Sequence, residues 1–237
     1  MPRILLLLLL VSATGLAAQQ SFLDASVGVH YAFRRLTDSD PPSGVNRLAE
    51  NEQGVITGSV GFHYGRQLGD RLALRTGLRL MTLGYGFRID GLRWGSQFDG
   101  QGGFDPGLDP DAPAEVTGRN DRIFLDVPLL VRYAMHPGRW KPYVEAGLLP
   151  GAYLTTRTEQ RAGDERTVEY RDGARQSIHR VQLGAALSLG VSYGLSGRYA
   201  LFLQGSGRYQ LTPLADGPYR ERPYAGGLEV GLRRNLP

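Results

Sequence analysis

Residues 181–193 read VQLGAALSLGVSY, and their polarity alternates from one position to the next. The odd positions carry Val, Leu, Ala or Tyr, whereas the even positions carry Gln, Gly, Ala or Ser. A period of two residues is typical of a β-strand with one apolar face. Strands of soluble proteins usually have about 5–6 residues, so a run of this length indicates a strand that is long enough to cross a membrane.

The same alternation recurs along most of the chain. In residues 122–133 the odd positions are Ile, Leu, Val, Leu, Val and Tyr, while the even positions include two Arg, one Asp and one Pro. The pattern predicts an all-β protein with eight strands, at residues 21–35, 54–67, 71–87, 120–135, 141–156, 177–193, 198–211 and 224–234.

The connections between these strands alternate in length. Three are short turns, at residues 68–70, 136–140 and 194–197. Four are long polar loops, at residues 36–53, 88–119, 157–176 and 212–223. Short turns at one end and long loops at the other are typical of an antiparallel, up-and-down transmembrane β-barrel of the bacterial outer membrane. We therefore predict an eight-stranded barrel of this kind.

Aromatic residues on the apolar faces form two groups. One group lies beside the short turns and consists of Tyr64, Tyr133, Tyr193 and Tyr199. The other lies beside the long loops and consists of Tyr31, Phe33, Tyr209 and Tyr224. Two aromatic belts are expected where an apolar band meets water at two interfaces.

A soluble β-sandwich or a lipocalin-like barrel is the alternative fold. Its strands alternate in the same way, but their apolar face is turned inward. Alternation alone does not separate the two folds. Strand length, the unequal connections and the two belts favour the membrane barrel.

The N-terminus has the features of a secretory signal peptide. An apolar run at residues 4–11 follows Arg3 and precedes small residues around Ala18. The run is much shorter than the roughly 20 residues that a membrane-spanning helix needs. We expect a cleaved signal peptide, residues 1–18, and one β-barrel domain in the outer membrane, residues 19–237.

Composition excludes several classes of site. The chain has no cysteine, so disulfides, cysteine-ligated metals and thiol nucleophiles are absent. Its 27 basic residues exceed its 23 acidic residues, but the arginines recur at strand period rather than in one contiguous patch. We therefore expect no nucleic-acid partner, and no motif predicts a cofactor.

The central hairpin resembles a known family. Residues 124–133 read FLDVPLLVRY, and residues 141–147 read KPYVEAG. Together they resemble the central hairpin of the PorT-like outer-membrane β-barrel family of Bacteroidota. The resemblance implies an eight-stranded barrel similar in form to OmpA and OmpX. Most members of that family have no assigned activity, and a few belong to a protein secretion apparatus.

The polar faces of the predicted strands carry many charges. The predicted interior network comprises Asp24, Arg75, Arg79, Arg122, Asp126, Arg132, Glu145, Arg180, Arg208 and Glu229. An eight-stranded barrel is just wide enough for side chains to fill it, so buried carboxylates must pair with guanidinium groups. We expect Asp126 and Glu145 to pair with inward arginines among Arg79, Arg122, Arg132 and Arg180.

Two further motifs suggest other sites. Ser177 and His179 are expected at the lipid face near the long loops, where lipid A deacylases place a His and a Ser, although in the opposite order. The Asp-rich loop at residues 99–111 has oxygen ligands that calcium could use, but Pro, Gly and Asp are also ordinary turn residues.

The sequence thus predicts a non-catalytic outer-membrane barrel with a lumen plugged by side chains. It is expected to act through its long loops or its periplasmic rim, as a component of a secretion apparatus or of the envelope. The expected partners are outer-membrane lipid, lipopolysaccharide and other envelope proteins. A lipid-A-modifying enzyme and a narrow anion-conducting porin remain alternatives.

Overall fold

The computed structural model describes residues 20–38, 50–91, 96–98, 104–106, 113–136, 138–171, 178–215 and 219–237. Within them the strands are β1 (Ser21–Asp38), β2 (Glu52–Gln53), β3 (Val55–Gln67), β4 (Leu72–Asp90), β5 (Ser96–Phe98), β6 (Phe104–Pro106), β7 (Glu115–Asp126), β8 (Leu129–Ala134), β9 (Trp140–Ala162), β10 (Glu165–Arg171), β11 (Val181–Gly194), β12 (Tyr199–Gln210) and β13 (Tyr219–Asn235). The predicted signal peptide lies outside the described residues. No helix in the described ranges is long and apolar enough to cross a membrane.

The long strands close into a ring. The order is β1, β3, β4, β7 with β8, β9, β11, β12 and β13, and every neighbouring pair is antiparallel. Strand β13 pairs back with β1, from Phe22↔Asn235 to Asp38↔Tyr219. Since β7 and β8 together take one place in the ring, the barrel has eight strands. The predicted eight-stranded antiparallel barrel is confirmed.

The fourth place in the ring is interrupted, although the sequence predicts one strand at residues 120–135. The break falls at Val127 and Pro128, between β7 and β8. Proline has no N–H to give to a neighbouring strand, so it interrupts the hydrogen-bonded ladder. Val127 still donates its N–H to the carbonyl of Pro150 on β9, at 2.8 Å. The ring therefore stays closed across the break.

The strands extend farther at the loop end than the sequence predicts. Residues 157–176 are predicted to be one long loop, but β9 continues to Ala162 and forms a hairpin with β10. The turn contains Gly163 at φ 57°, a left-handed conformation that favours glycine. Residues 155–162 read TTRTEQRA, which is polar on both faces. The alternation that reveals a strand is missing there, so the prediction of a loop was wrong.

The polarity of the inward and outward side chains indicates whether water or lipid surrounds the barrel. On β3, the side chain of Val60 is 60% exposed, whereas the neighbouring Ser59 is 8% exposed. The same contrast on β11 leaves Leu187 exposed and Ser188 buried. A soluble barrel needs the reverse arrangement, with apolar residues inside. Tyrosines from both predicted belts also face outward, namely Tyr31, Tyr64, Tyr133, Tyr199 and Tyr224.

We predict that Leu187→Arg destabilises the folded barrel by about 2–4 kcal/mol, because the arginine would lie near the middle of the lipid-facing band. The matched control is Val168→Arg, at an exposed position of β10 in the hairpin beyond the ring. Equilibrium unfolding with urea in lipid vesicles measures both free energies. Equal effects of the two variants would show that β11 does not present Leu187 to lipid.

Candidate functional site in the barrel lumen

The polar side chains of alternate strand positions meet inside the ring. Nine of the ten residues predicted for the interior network are buried there. They are Asp24, Arg75, Arg79, Arg122, Asp126, Arg132, Glu145, Arg208 and Glu229. Each of them lies on one of the strands β1, β4, β7, β8, β9, β12 and β13. The period of two along each strand is therefore what brings these charges together.

Arg180 does not lie in the interior, and its prediction was wrong. The sequence places it inside a strand that begins at residue 177, but β11 begins at Val181. Arg180 is exposed in the bend before β11, where its carbonyl accepts a hydrogen bond from the N–H of Tyr153 at 2.9 Å. A residue outside the ladder does not follow the inward and outward alternation of the strand.

The turn-side cluster consists of Asp24, Arg75, Arg132, Glu145 and Arg233. Glu145 accepts hydrogen bonds from Arg75 Nη1 at 2.7 Å and from Arg132 Nε at 2.8 Å. Asp24 accepts two bonds from Arg233, at 2.8 and 3.0 Å, and its Oδ2 lies 3.3 Å from Arg75 Nε. Glu145 thus has its expected partner Arg132, and Arg75 is a second partner that the sequence did not predict for it.

Aromatic rings hold the guanidinium groups of this cluster in place. The guanidinium carbon of Arg132 lies 4.0 Å from the ring centre of Tyr143, and that of Arg233 lies 3.8 Å from the ring centre of Phe22. Both rings are fully buried. Gly190 makes room for Tyr143, since a β-carbon at position 190 would lie 2.7 Å from the tyrosine ring. Cation–π contacts thus add to the ion pairs.

The middle cluster consists of Arg79, Asp126, Arg208 and Glu229. Arg79 lies 3.3 Å from Glu229, and Arg208 of β12 pairs with Asp126 of β7. Asp126 was expected to pair with Arg79, Arg122, Arg132 or Arg180, and that expectation was wrong. Although Arg79 is the strand neighbour of Asp126, the lumen is narrow enough for Arg208 to reach Asp126 from the far side of the ring.

One buried histidine contacts each of these two clusters. His63 Nδ1 lies 2.8 Å from Arg75 Nη2. Because arginine can only donate, this nitrogen of His63 accepts, and the His63 ring carries its proton on Nε2 when neutral. His30 Nε2 lies 2.8 Å from the hydroxyl of Ser59 and 3.7 Å from Glu229.

An apolar layer lies on the loop side of the middle cluster. Its buried members are Ala32, Val55, Met81, Leu83, Phe124, Tyr153, Ile178, Leu214 and Ala225. Ile178 and Leu214 come from loop segments that a β-bridge joins at Ile178 and Ala215. The sequence analysis missed this layer, although apolar residues on both faces of residues 80–83 were a signal for it.

The loop-side cluster consists of Arg34, Glu52, Arg122 and Glu221. Arg34 Nε donates to both carboxylate oxygens of Glu52, at 2.9 and 3.0 Å, and Arg34 Nη1 donates to Glu221 at 3.1 Å. Arg122 Nη2 donates to Glu221 at 2.9 Å. The sequence analysis missed Glu52 and Glu221, because it assigned both to loops. They lie instead on β2 and on the extended start of β13.

The remaining predicted sites receive little structural information. Ser177 lies outside the described residues, and most of the loop at residues 99–111 does as well. His179 is half-buried, and its backbone N–H donates to the carbonyl of Leu214 at 2.9 Å. In the described part of the chain, no group of three or more His, Asp or Glu side chains is placed to hold a metal ion.

Comparisons with known proteins identify a family. A family model for the outer membrane protein beta-barrel domain matches residues 17–216. No curated protein matches the sequence.

Solved structures of outer-membrane barrels are similar over most of the chain. Neisserial surface protein A (NspA) is 14% identical with a TM-score of 0.42, and the match covers 91% of this chain and 97% of that one. The outer membrane protease OmpT from Escherichia coli is 10% identical with a TM-score of 0.43, covering 92% and 97%. A major outer membrane protein from Thermus thermophilus is 14% identical with a TM-score of 0.37, covering 92% and 100%.

We predict that Glu145→Gln lowers the free energy of unfolding by about 3–5 kcal/mol, because two buried guanidinium groups lose the carboxylate they share. The matched control is Glu159→Gln on β9. A hydrogen bond from Arg166 lowers the pKa of Glu159. The Arg166 and Glu159 side chains are 57% and 31% exposed, so we expect little change in the free energy of unfolding. Urea titration of both variants measures the difference. A near-neutral Glu145→Gln would mean that the lumen is wet.

Proposed function

Because the chain belongs to the outer membrane protein beta-barrel domain family, we propose that it is a non-catalytic outer-membrane barrel that is closed by its own side chains. Its lumen serves as a rigid plug, and its two ends make the functional contacts. The observation that carries this proposal is the ion pairing of the lumen, where each of the four deeply buried carboxylates contacts at least one guanidinium group.

Energetics supports a plug over a conducting path. A carboxylate or guanidinium group in a narrow lumen has lost most of its water, and this loss is tolerated only where good ion pairs replace it. Large buried side chains take up the remaining space, among them Tyr143, Phe22, Phe124 and Phe202. A conducting path would have to separate these pairs and displace the rings.

The ends of the barrel are the surfaces left for partners. At the loop end, β4, β7, β9 and β10 continue past the lipid-facing apolar band. They form a sheet with charged side chains, among them the exposed Arg88, Glu115 and Arg166. The apolar outer face contacts outer-membrane lipid, including lipopolysaccharide in the outer leaflet. We propose that other envelope proteins bind at the ends.

The finer family assignment rests on the central hairpin. We propose that the chain is PorT-like, because residues 124–133 and 141–147 carry that family's pattern. The first segment spans the break between β7 and β8, and the second lies near the start of β9. This assignment would make the protein a component of a secretion apparatus or of the envelope.

A narrow anion channel is the second candidate. The observation that favours it is the surplus of guanidinium groups in the turn-side cluster, where three arginines contact two carboxylates. A surplus of fixed positive charge is what an anion path needs. Conductance separates the two candidates.

We predict that the purified protein shows no steady conductance in planar lipid bilayers, because its lumen is filled. A porin of known conductance, added afterwards to the same bilayer, controls for the sensitivity of the recording. Heat-modifiable migration on gels shows that the sample holds folded barrels. Steady anion-selective current from the folded protein would show that it is an anion channel and not a plugged barrel.

A further inference from the structure

A cavity opens into the lumen at the short-turn end. Its volume is about 570 Å³, within the range of small-molecule sites. The floor includes Arg132 and Arg233 of the turn-side cluster, and the mouth includes Lys141, the one lysine of the chain. Phe22 and Tyr143 supply aromatic walls. In an outer-membrane barrel the short turns face the periplasm, so the cavity is a periplasmic vestibule.

Of the three clusters, the turn-side cluster beside this vestibule has more arginines than carboxylates, whereas the other two have equal numbers. The middle and loop-side clusters each pair two arginines with two carboxylates. The turn-side cluster sets Arg75, Arg132 and Arg233 against Asp24 and Glu145. The surplus positive charge therefore lies at the floor of the vestibule, where low dielectric strengthens its field.

Arg132 has donors that the protein does not use. Its Nε donates to Glu145, but Nη1 and Nη2 have no hydrogen-bond partner among the described residues. The nearest other carboxylate oxygen, Asp24 Oδ2, is 3.9 Å from Nη1. The side chain is only 4% exposed, and buried donors without acceptors are costly.

Two other cations at the rim, Arg71 and Arg139, already donate hydrogen bonds to groups of the protein. Arg71 donates to the hydroxyl of Tyr133 at 3.3 Å. Arg139 donates to the carbonyl of Gly194 at 3.3 Å and lies over the ring of Tyr193. Lys141 follows the same parity as the inward residues Tyr143 and Glu145 on β9. Lys141 at the mouth is thus the group that is placed to meet an incoming anion, and Arg132 at the floor adds positive charge behind it.

We propose that the vestibule is a binding site for a small periplasmic anion that carries carboxylate or phosphate groups. The surplus positive charge of the turn-side cluster would attract the ligand. Arg132, whose planar fork suits both groups, would donate to its oxygens once the side chains that cover Nη1 and Nη2 shift. A second anionic group would meet Lys141 at the mouth. The site is open on one side only, so an anion can bind there without any ion current through the barrel. Anion binding is therefore a function in addition to the proposed role of the lumen as a plug.

The test is isothermal titration calorimetry on the folded barrel in a non-ionic detergent. The probes are glutarate and pyrophosphate, with glutaramide as the uncharged counterpart of glutarate. We expect at least one of the two anions to bind and glutaramide not to bind. Binding of glutarate alone would identify a carboxylate ligand, and binding of pyrophosphate alone a phosphate ligand. No binding of either anion, or equal binding of glutaramide, would overturn the proposal.

Two variants locate the site. Lys141→Gln removes an exposed charge at the mouth and is expected to weaken anion binding about two- to fivefold, as for one charge pair near a surface. Arg198→Gln removes an exposed charge at the same end of the barrel. Arg198 is not among the residues that line the cavity, although its neighbours Gly197 and Tyr199 are, and this variant is expected to leave binding unchanged. Equal weakening of anion binding by both variants would show that anions are attracted to the basic turn end in general. That result would overturn the assignment of the binding site to the vestibule.

Discussion

A charge buried inside a narrow barrel must be neutralised by a partner, and the rest of this structure depends on that constraint. Lipid around the ring requires an apolar outer face, so the period of two directs the polar side chains inward. Eight strands leave a lumen that side chains can fill. The buried carboxylates Asp24, Asp126, Glu145 and Glu229 are then stable only because arginines reach them.

The two ends of the lumen differ. At the loop end, Ile178 and Leu214 are part of the apolar layer, and Arg34 and Arg122 are neutralised by carboxylates from β2 and β13. At the turn end, the vestibule is open and its floor carries surplus positive charge. This difference is the basis of the proposal that the barrel binds periplasmic molecules at its turn end and does not exchange solutes across the membrane.

The ring of strands could be predicted from the sequence, because one apolar face recurs along each strand. Strand ends could not be predicted where both faces are polar, as at residues 155–162, or where a residue lies just outside the ladder, as Arg180 does. The inward direction of Asp126 followed from its strand position. Its partner Arg208 did not, because contacts across the lumen depend on how the closed ring brings distant strands together.

The central claim is that the lumen is filled, and access of a small thiol reagent tests it directly. The chain has no cysteine, so single cysteines report without background. Ser188 is 5% exposed in the middle of β11, and Ser196 is exposed in a short turn. The measurement is the rate at which a charged methanethiosulfonate labels Ser188→Cys relative to Ser196→Cys in the folded barrel. A filled lumen predicts fast labelling at position 196 and protection at position 188 until the protein is unfolded. Comparable rates at the two positions would contradict the account.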